Sequence, residues 1–285
     1  MPRACLPQLS APSPTVGGMT ILVTGATGNI GRRIVDELIR LGGNGIGEVR
    51  ALTKNPAKAN LPAGVEVVTG YLGEPESLDG VFDGVERMYL APYPPTLAAT
   101  LERIEHAGVG YLVALSGGAH WSEYADIVRA SGLPHTQLGP GEFTDNFTIW
   151  AEQIKQTGTV RELCPSVVEA PVSMDDIARV AAQLLVEPAR HGEMLELTGP
   201  EALSRADIAR QIGVGIGRPV TVEQCDRAEA EATLRPVMGD AAAWYLDTIS
   251  TNEEPQRANQ LVAELTGTPA MSVAQWAARN ADKFR

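Results

Sequence analysis

The clearest chemical signal in the chain is Gly25-Ala26-Thr27-Gly28-Asn29-Ile30-Gly31. In this GxxGxxG spacing Gly25 allows a sharp reversal, Gly28 lets backbone N–H groups approach a pyrophosphate, and Gly31 permits close strand–helix packing. Glycines alone mark only a turn at a helix start. Here the β-branched run TILVTG leads into them, and RRIVDELIRLGG follows with Ile30, Ile34, Val35, Leu38 and Leu41 on one helical face. Strand, glycine turn and helix in that order predict a dinucleotide site.

The next strand bears on which dinucleotide. A cofactor without a 2′-phosphate is commonly held by an acidic residue at that strand's end, yet no Asp or Glu lies between Val49 and Val65. Arg50, Lys54 and Lys58 stand there instead, with Thr53 and Asn55 as polar neighbours. Arg50 falls in the strand and Lys58 farther along the loop. Lys54 is therefore the expected 2′-phosphate partner, and NADPH is expected over NADH. The bland alternative is a solvated basic patch.

Other groupings are weaker. Asp175 and Asp176 precede IARVAA, where one carboxylate is expected to cap a helix and the other to meet nearby N–H groups; no His or Cys accompanies them, so no metal is expected. Ser116-Gly117-Gly118 is not a GxSxG elbow. Phe143 and Phe147, spaced i,i+4, with Trp150 and Trp121 form either an aromatic substrate wall or ordinary core.

The elements that position these residues alternate. Strands are expected at 47–53, 65–70, 85–92, 111–118 and 134–141, with helices at ESLDGVF, 96–107 and SEYADIVRASG. Continuous apolar strands alternating with helices predict an α/β fold with a doubly wound parallel sheet over 19–141. Beyond 141 come a strong helix at 174–188, a short strand at 193–199, and helices at SRADIARQIG, RAEAEATLRPVMGDAAAWYLDTI (with a break at Pro236) and SVAQWAARNADKF. Residues 142–285 thus read as sheet-completing segments plus a smaller, mainly helical substrate lobe beside the carboxyl ends of the strands.

Composition is consistent with this plan. The 285 residues are 44% hydrophobic and 20% charged, enough for a sizeable core. With 23 basic and 35 acidic residues the formal charge is −12, which disfavours nucleic acid and anionic membranes as partners. Cys5, Cys164 and Cys225 cannot all pair within one chain and form no CxxC, so a reducing cytoplasm is the simplest setting. Residues 1–18 carry four prolines and no apolar run; they read as a flexible extension from a translation start upstream of Met19.

Taken together, TILVTGATGNIG, RALTKNPAKA, YLVALSGG, RASGLPHTQLGPGEFTDNF, SMDDIARVAAQLL and LELTGPEALSRADIA resemble the NmrA-like family, an atypical short-chain dehydrogenase/reductase group with the Rossmann fold. The likeness runs over 19–285, and the C-terminal half also resembles ergot-alkaloid dehydrogenases. It implies that Thr27, Asn29 and Ile30 line the dinucleotide with Gly25, Gly28 and Gly31, that Lys54 lies near the adenosine phosphate, that Ala91-Pro92 approaches the cofactor, and that Ser116 stands near nicotinamide. The chain departs from the family at Tyr71, commonly aspartate, and at Gly139, commonly arginine.

A third departure concerns chemistry. Typical short-chain dehydrogenases use Tyr-x-x-x-Lys to protonate a developing alkoxide, but Tyr89, Tyr111 and Tyr124 are followed at the fourth position by Tyr93, Leu115 and Val128. Three accounts stay open. The protein reduces an apolar quinone-like, conjugated or iminium acceptor with little need of a proton donor, Ser116 helping to orient cofactor or substrate; or His120, Tyr124 or Glu142 replaces the missing pair; or it is a dinucleotide-binding sensor that answers to a protein partner.

Overall fold

The computed structural model describes residues 18–117, 122–251 and 254–285. β1 (Met19–Val23) leads through the glycine turn into α1 (Asn29–Arg40), followed by β2 (Ile46–Thr53), β3 (Glu66–Thr69) and β4 (Arg87–Leu90). Next come α2 (Leu97–His106), β5 (Tyr111–Leu115), α3 (Ser122–Ala130) and β6 (His135–Pro140). A 3-10 helix over Thr144–Trp150 precedes α4 (Ala151–Thr157), β7 (Thr159–Glu162), β8 (Val168–Glu169), α5 (Met174–Val186) and β9 (Met194–Leu197). The remainder is β10 (Leu203–Ser204), α6 (Arg205–Ile216), β11 (Thr221–Gln224), α7 (Arg227–Met238), α8 (Ala241–Ser250), α9 (Leu261–Thr266) and α10 (Val273–Arg279).

Seven strands form one parallel sheet in the order β3-β2-β1-β4-β5-β6-β9. Side chains alternate across it, as a period of two requires. Ile21 and Val23 pack beneath α1 and α5, while Leu22 packs on the opposite face with Leu101 and Ile104 of α2 and Tyr124 and Val128 of α3. The strand read at 193–199 is β9, the sheet's edge beside β6. A separate core gathers Phe147, Trp150, Ile208, Ile212, Trp276 and Phe284 in the C-terminal lobe. No helix among the described residues is long and apolar enough to cross a membrane.

Four local expectations need correction. ESLDGVF holds only the end of a 3-10 turn, Pro75–Leu78, which stops where Asp79 turns extended ahead of Gly80 at φ +74°. The long helix breaks at Gly239, φ +59°, and α7 runs through Pro236. Neither Asp175 nor Asp176 caps α5: Ser173 accepts from the Asp176 N–H at 3.1 Å. The buried Asp176 carboxylate instead accepts from the Met271 N–H at 2.8 Å, while Asp175 pairs with Arg33 at 2.7 Å.

The fourth is the aromatic wall. Residues 144–150 wind as a 3-10 helix with three residues per turn, so Thr144, Phe147 and Trp150 share the buried face. Phe143 falls outside that row and packs at the edge of the sheet's core. Phe147 and Trp150 are 0% and 1% exposed in the C-terminal core and wall no cleft. Trp121 lies outside the described residues.

Candidate functional site

The glycine turn is built by close contacts. Gly25 has φ +58°, and a Cβ there would lie 3.0 Å from the Ala91 Cβ. A Cβ on Gly31 would come within 2.2 Å of the Gly25 carbonyl oxygen, so the helix can sit this tightly on the turn only with glycine. Gly28 is the N-cap of α1 and supplies no side-chain cap, and the first turn holds no acidic residue. Its N–H groups and the positive end of the helix dipole are therefore suited to phosphate oxygens. Thr27 and Asn29 are exposed beside Gly28; Ile30 buries its side chain in the core and offers a ligand only its backbone.

Thr24 fixes the neighbouring loop. Its hydroxyl donates to the Tyr89 carbonyl at 3.0 Å and accepts from the Ala91 N–H at 2.8 Å, holding Ala91-Pro92 against the turn. On the other side Thr27 and Thr53 bring their hydroxyls to 3.4 Å, linking the turn to the end of β2.

The cations after β2 separate clearly. Arg50 is spent on structure, pairing with Glu66 and donating to the carbonyls of Val81 and Asp83 at 3.1 and 2.8 Å. Arg32 similarly donates to the Ala59 and Asn60 carbonyls. Among the described residues neither Lys54 nor Lys58 has a carboxylate partner. The Lys54 ammonium lies 4.3 Å from the centroid of the Tyr71 ring, which stacks edge-on with Tyr93. Tyr71 thus cradles Lys54 without neutralising it.

A cleft of about 680 Å³ opens beside Pro92, at the carboxyl ends of β4 and β5, and is lined by Leu115, Gly117, Glu142, Phe143, Glu169 and Trp244 among others. Gly141, Glu142, Phe143 and Asn146 border the cleft, and their segment approaches α1 through Arg33, whose guanidinium lies 3.9 Å from Asp145 and 2.7 Å from Asp175. A second cavity of about 460 Å³ shares Gly117, Pro140, Gly141 and Gln256 with it and includes Gly139.

The catalytic candidates occupy different environments. Ser116 is fully buried, its hydroxyl donating to Gln137 Oε1 at 2.7 Å, and Gln137 Nε2 donates to the Ala125 carbonyl at 3.1 Å. It joins β5 to β6 and α3, while its neighbours Leu115 and Gly117 line the cleft. Tyr124 is 2% exposed within the α2–α3 core, and burial raises its phenol pKa. His120 lies outside the described residues. Glu142 faces the cleft; its Oε1 accepts from Asn146 Nδ2 at 2.9 Å. Burial, then the nearby Glu169 carboxylate, push its pKa up to about 7 against the opposing effects of Asn146 and Arg205.

Sequence reading missed the groups behind Glu142. Arg205, 0% exposed, pairs with Glu169 at 3.0 Å and Glu162 at 3.1 Å and donates to the Tyr245 hydroxyl at 2.8 Å. Its guanidinium sits 5.1 to 5.6 Å from the rings of Trp150, Phe147 and Tyr245. Trp244, on the rim of the cleft, was also missed; a 56% exposed tryptophan in a helix next to a cavity is a signal only once the cavity is known.

The NmrA-like family model matches residues 18–98. The (4-alkanoyl-5-oxo-2,5-dihydrofuran-3-yl)methyl phosphate reductase of Streptomyces griseus is 32% identical over 287 residues, covering 93% of this chain and 99% of that protein. The NAD(P)H azoreductase of Xenophilus azovorans is 31% identical over 290 residues, with 93% and 99% covered. The structure of an NADPH-dependent quinone oxidoreductase from Escherichia coli, complexed with NADPH, matches with a TM-score of 0.80 over 91% of this chain and 99% of that one, at 22% identity; this is a likeness of fold. The chain belongs to the NmrA-like family of Rossmann-fold NAD(P)-binding oxidoreductases.

Proposed function

We propose that the protein is an NADPH-dependent reductase that passes hydride to an apolar quinone-like, conjugated or iminium small molecule. The observation that carries this reading is the continuity of the uncapped glycine turn, the Ala91-Pro92 loop and the apolar cleft at the strand ends. Both relatives are named as reductases, one of them for NAD(P)H, and the Escherichia coli protein of like fold is a quinone oxidoreductase.

The fit to a dinucleotide rests on the chain's own geometry. The α1 N-terminus receives the pyrophosphate, Gly31 and Gly25 let the helix and the Ala91 loop close on the turn that presents it, and Lys54 meets the 2′-phosphate. When bound, the reduced nicotinamide supplies the hydride. Pro92, Leu115 and Gly117 border the reaction space, and Phe143 and Trp244 offer rings to a planar acceptor. Holding the acceptor in a cleft from which water is displaced supplies proximity and desolvation.

With C4-deuterated NADPH, the purified protein is expected to oxidise the cofactor only when a quinone, enone or cyclic imine is added, with deuterium appearing in the product. Tight NADPH binding without oxidation by any acceptor class would replace this reading with that of a dinucleotide sensor. Lys54→Ala is expected to weaken NADPH binding about tenfold or more and NADH binding less than about twofold, since only NADPH carries the extra phosphate. Titration of both nucleotides checks this, and equal losses would remove Lys54 from the phosphate site.

A further inference from the structure

We infer that Glu142 is the proton donor of the cleft, giving its carboxyl proton to a neutral acceptor that has received hydride; this rests on the reductase reading above. The argument begins with position. Glu142 follows β6, and its backbone is pinned where its carbonyl accepts from the Val172 N–H at 2.9 Å. Its side chain lines the same cleft as Pro92, Leu115 and Gly117, the strand-end residues that border the reaction space. The Asn146 amide holds Oε1 at 2.9 Å, which orients the carboxyl and leaves the other oxygen to carry a proton.

The charges around Glu142 decide which carboxyl stays neutral. Glu169, from β8, lines the cleft as well, and its Oε2 is held by Arg205 of α6 at 3.0 Å. Burial raises both carboxyls, and Arg205, bonded to Glu169, opposes the rise there more directly than at Glu142. Arg205 has no such bond to Glu142. From α8, Tyr245 offers a phenol already bonded to Arg205, and Asp247, which also lines the cleft, is paired with Arg227 at 2.8 Å. Glu142, with its pKa pushed up to about 7, therefore holds a proton to give near neutral pH.

The step balances. When hydride adds to a quinone or enone, a C–H bond forms with the hydride's electron pair, and the π pair of the acceptor moves onto oxygen. The O–H bond of Glu142 then breaks, its proton bonds to that oxygen, and the carboxylate recovers a proton from water. NADPH, acceptor and one proton become NADP+ and the reduced acceptor. An iminium acceptor differs, because hydride alone neutralises it and no proton is needed.

The test follows kcat from about pH 5 to 9 with a neutral quinone or enone and with a cyclic iminium salt, using wild type, Glu142→Gln and Glu169→Gln. For the neutral acceptor the wild-type rate is expected to fall as pH rises through about 7, where the acid is lost. Glu142→Gln, which keeps the Asn146 bond, should abolish that limb and lose at least about tenfold more rate on the neutral acceptor than on the iminium. Glu169→Gln removes the like charge and should move the limb to lower pH. Proportional losses on both acceptors, or a limb that survives in Glu142→Gln, would overturn the assignment of Glu142. A wild type that reduces both acceptors with a flat pH profile overturns only this inference, whereas one that reduces neither removes the reductase reading and the inference together. A melting curve of each variant with and without NADPH separates loss of the donor from loss of the fold.

Discussion

Arg205→Met is expected to lower the unfolding free energy at pH 7 by about 3–5 kcal/mol, the usual loss when one partner of a buried ion pair is removed. The magnitude follows from what the substitution strands: Glu162 and Glu169, 4% exposed each, would lose the cation they share, leaving Glu162 with the Cys164 N–H at 3.2 Å. Burial already holds the Glu169 carboxyl above the ordinary glutamate range, and the guanidinium opposes that rise. Without Arg205 the folded-state pKa climbs farther above the unfolded value of about 4.3. A group raised in this way costs nothing while both states are protonated, and its cost grows as pH rises from the unfolded to the folded value. The deficit should therefore be smallest in acid and greatest at neutral pH and above. Urea unfolding at several pH values checks both size and trend; a loss below about 1 kcal/mol at pH 7 would mean that solvent reaches the site freely.

Gly31→Ala should damage stability and cofactor binding together. The added Cβ would lie 2.2 Å from the Gly25 oxygen and 2.7 Å from its carbonyl carbon, both backbone atoms of the phosphate turn. Relief requires α1 to move away from the turn, at about 1–3 kcal/mol for overpacking and with the N-terminal N–H groups displaced from their target. NADPH affinity is expected to drop by about tenfold to a hundredfold, given that charge-assisted bonds contribute about 1.5–3 kcal/mol. Gly28→Ala is the graded control: its Cβ would stand 3.2 Å from the same oxygen, so its effect on melting temperature should be much smaller. Equal melting temperatures for Gly31→Ala and wild type would show that the helix yields without cost.

These two residues mark the reach of sequence reading. Gly31 was legible because a local pattern creates its constraint: a strand, a turn and an amphipathic helix within two dozen residues. The same holds for the apolar stripe of α5, where Ile177, Val180, Ala181, Leu184 and Leu185 are all buried. Arg205 was not legible, since Glu162, Glu169 and Tyr245 meet it only through the packing of β7, β8, α6 and α8. Of the two readings left open for Phe147 and Trp150 the core holds, and Phe143 leaves their row because an i,i+4 spacing presumes 3.6 residues per turn where the segment winds with three. Glu142 was named from its place after the sixth strand, but its raised pKa comes from burial and then from Glu169, and no spacing disclosed either.

β9 gives the molecule a particular problem during synthesis. It pairs with β6, Gln137 lying opposite Met194, and α5 covers the sheet face that bears Ile21, Val23, Tyr89 and Val113. A nascent chain that has emerged only through residue 141 therefore presents an unpaired strand edge and a half-bare apolar face. At ribosomal speeds of about 5–20 residues per second, roughly 3–11 s pass before residue 197 follows. Throughout that interval β6 is a template for foreign strands, and the fold must be guarded by chaperones or by rapid closure once α5 and β9 appear. The dinucleotide-binding half is thus written first but becomes structurally complete only after part of the substrate lobe has been made.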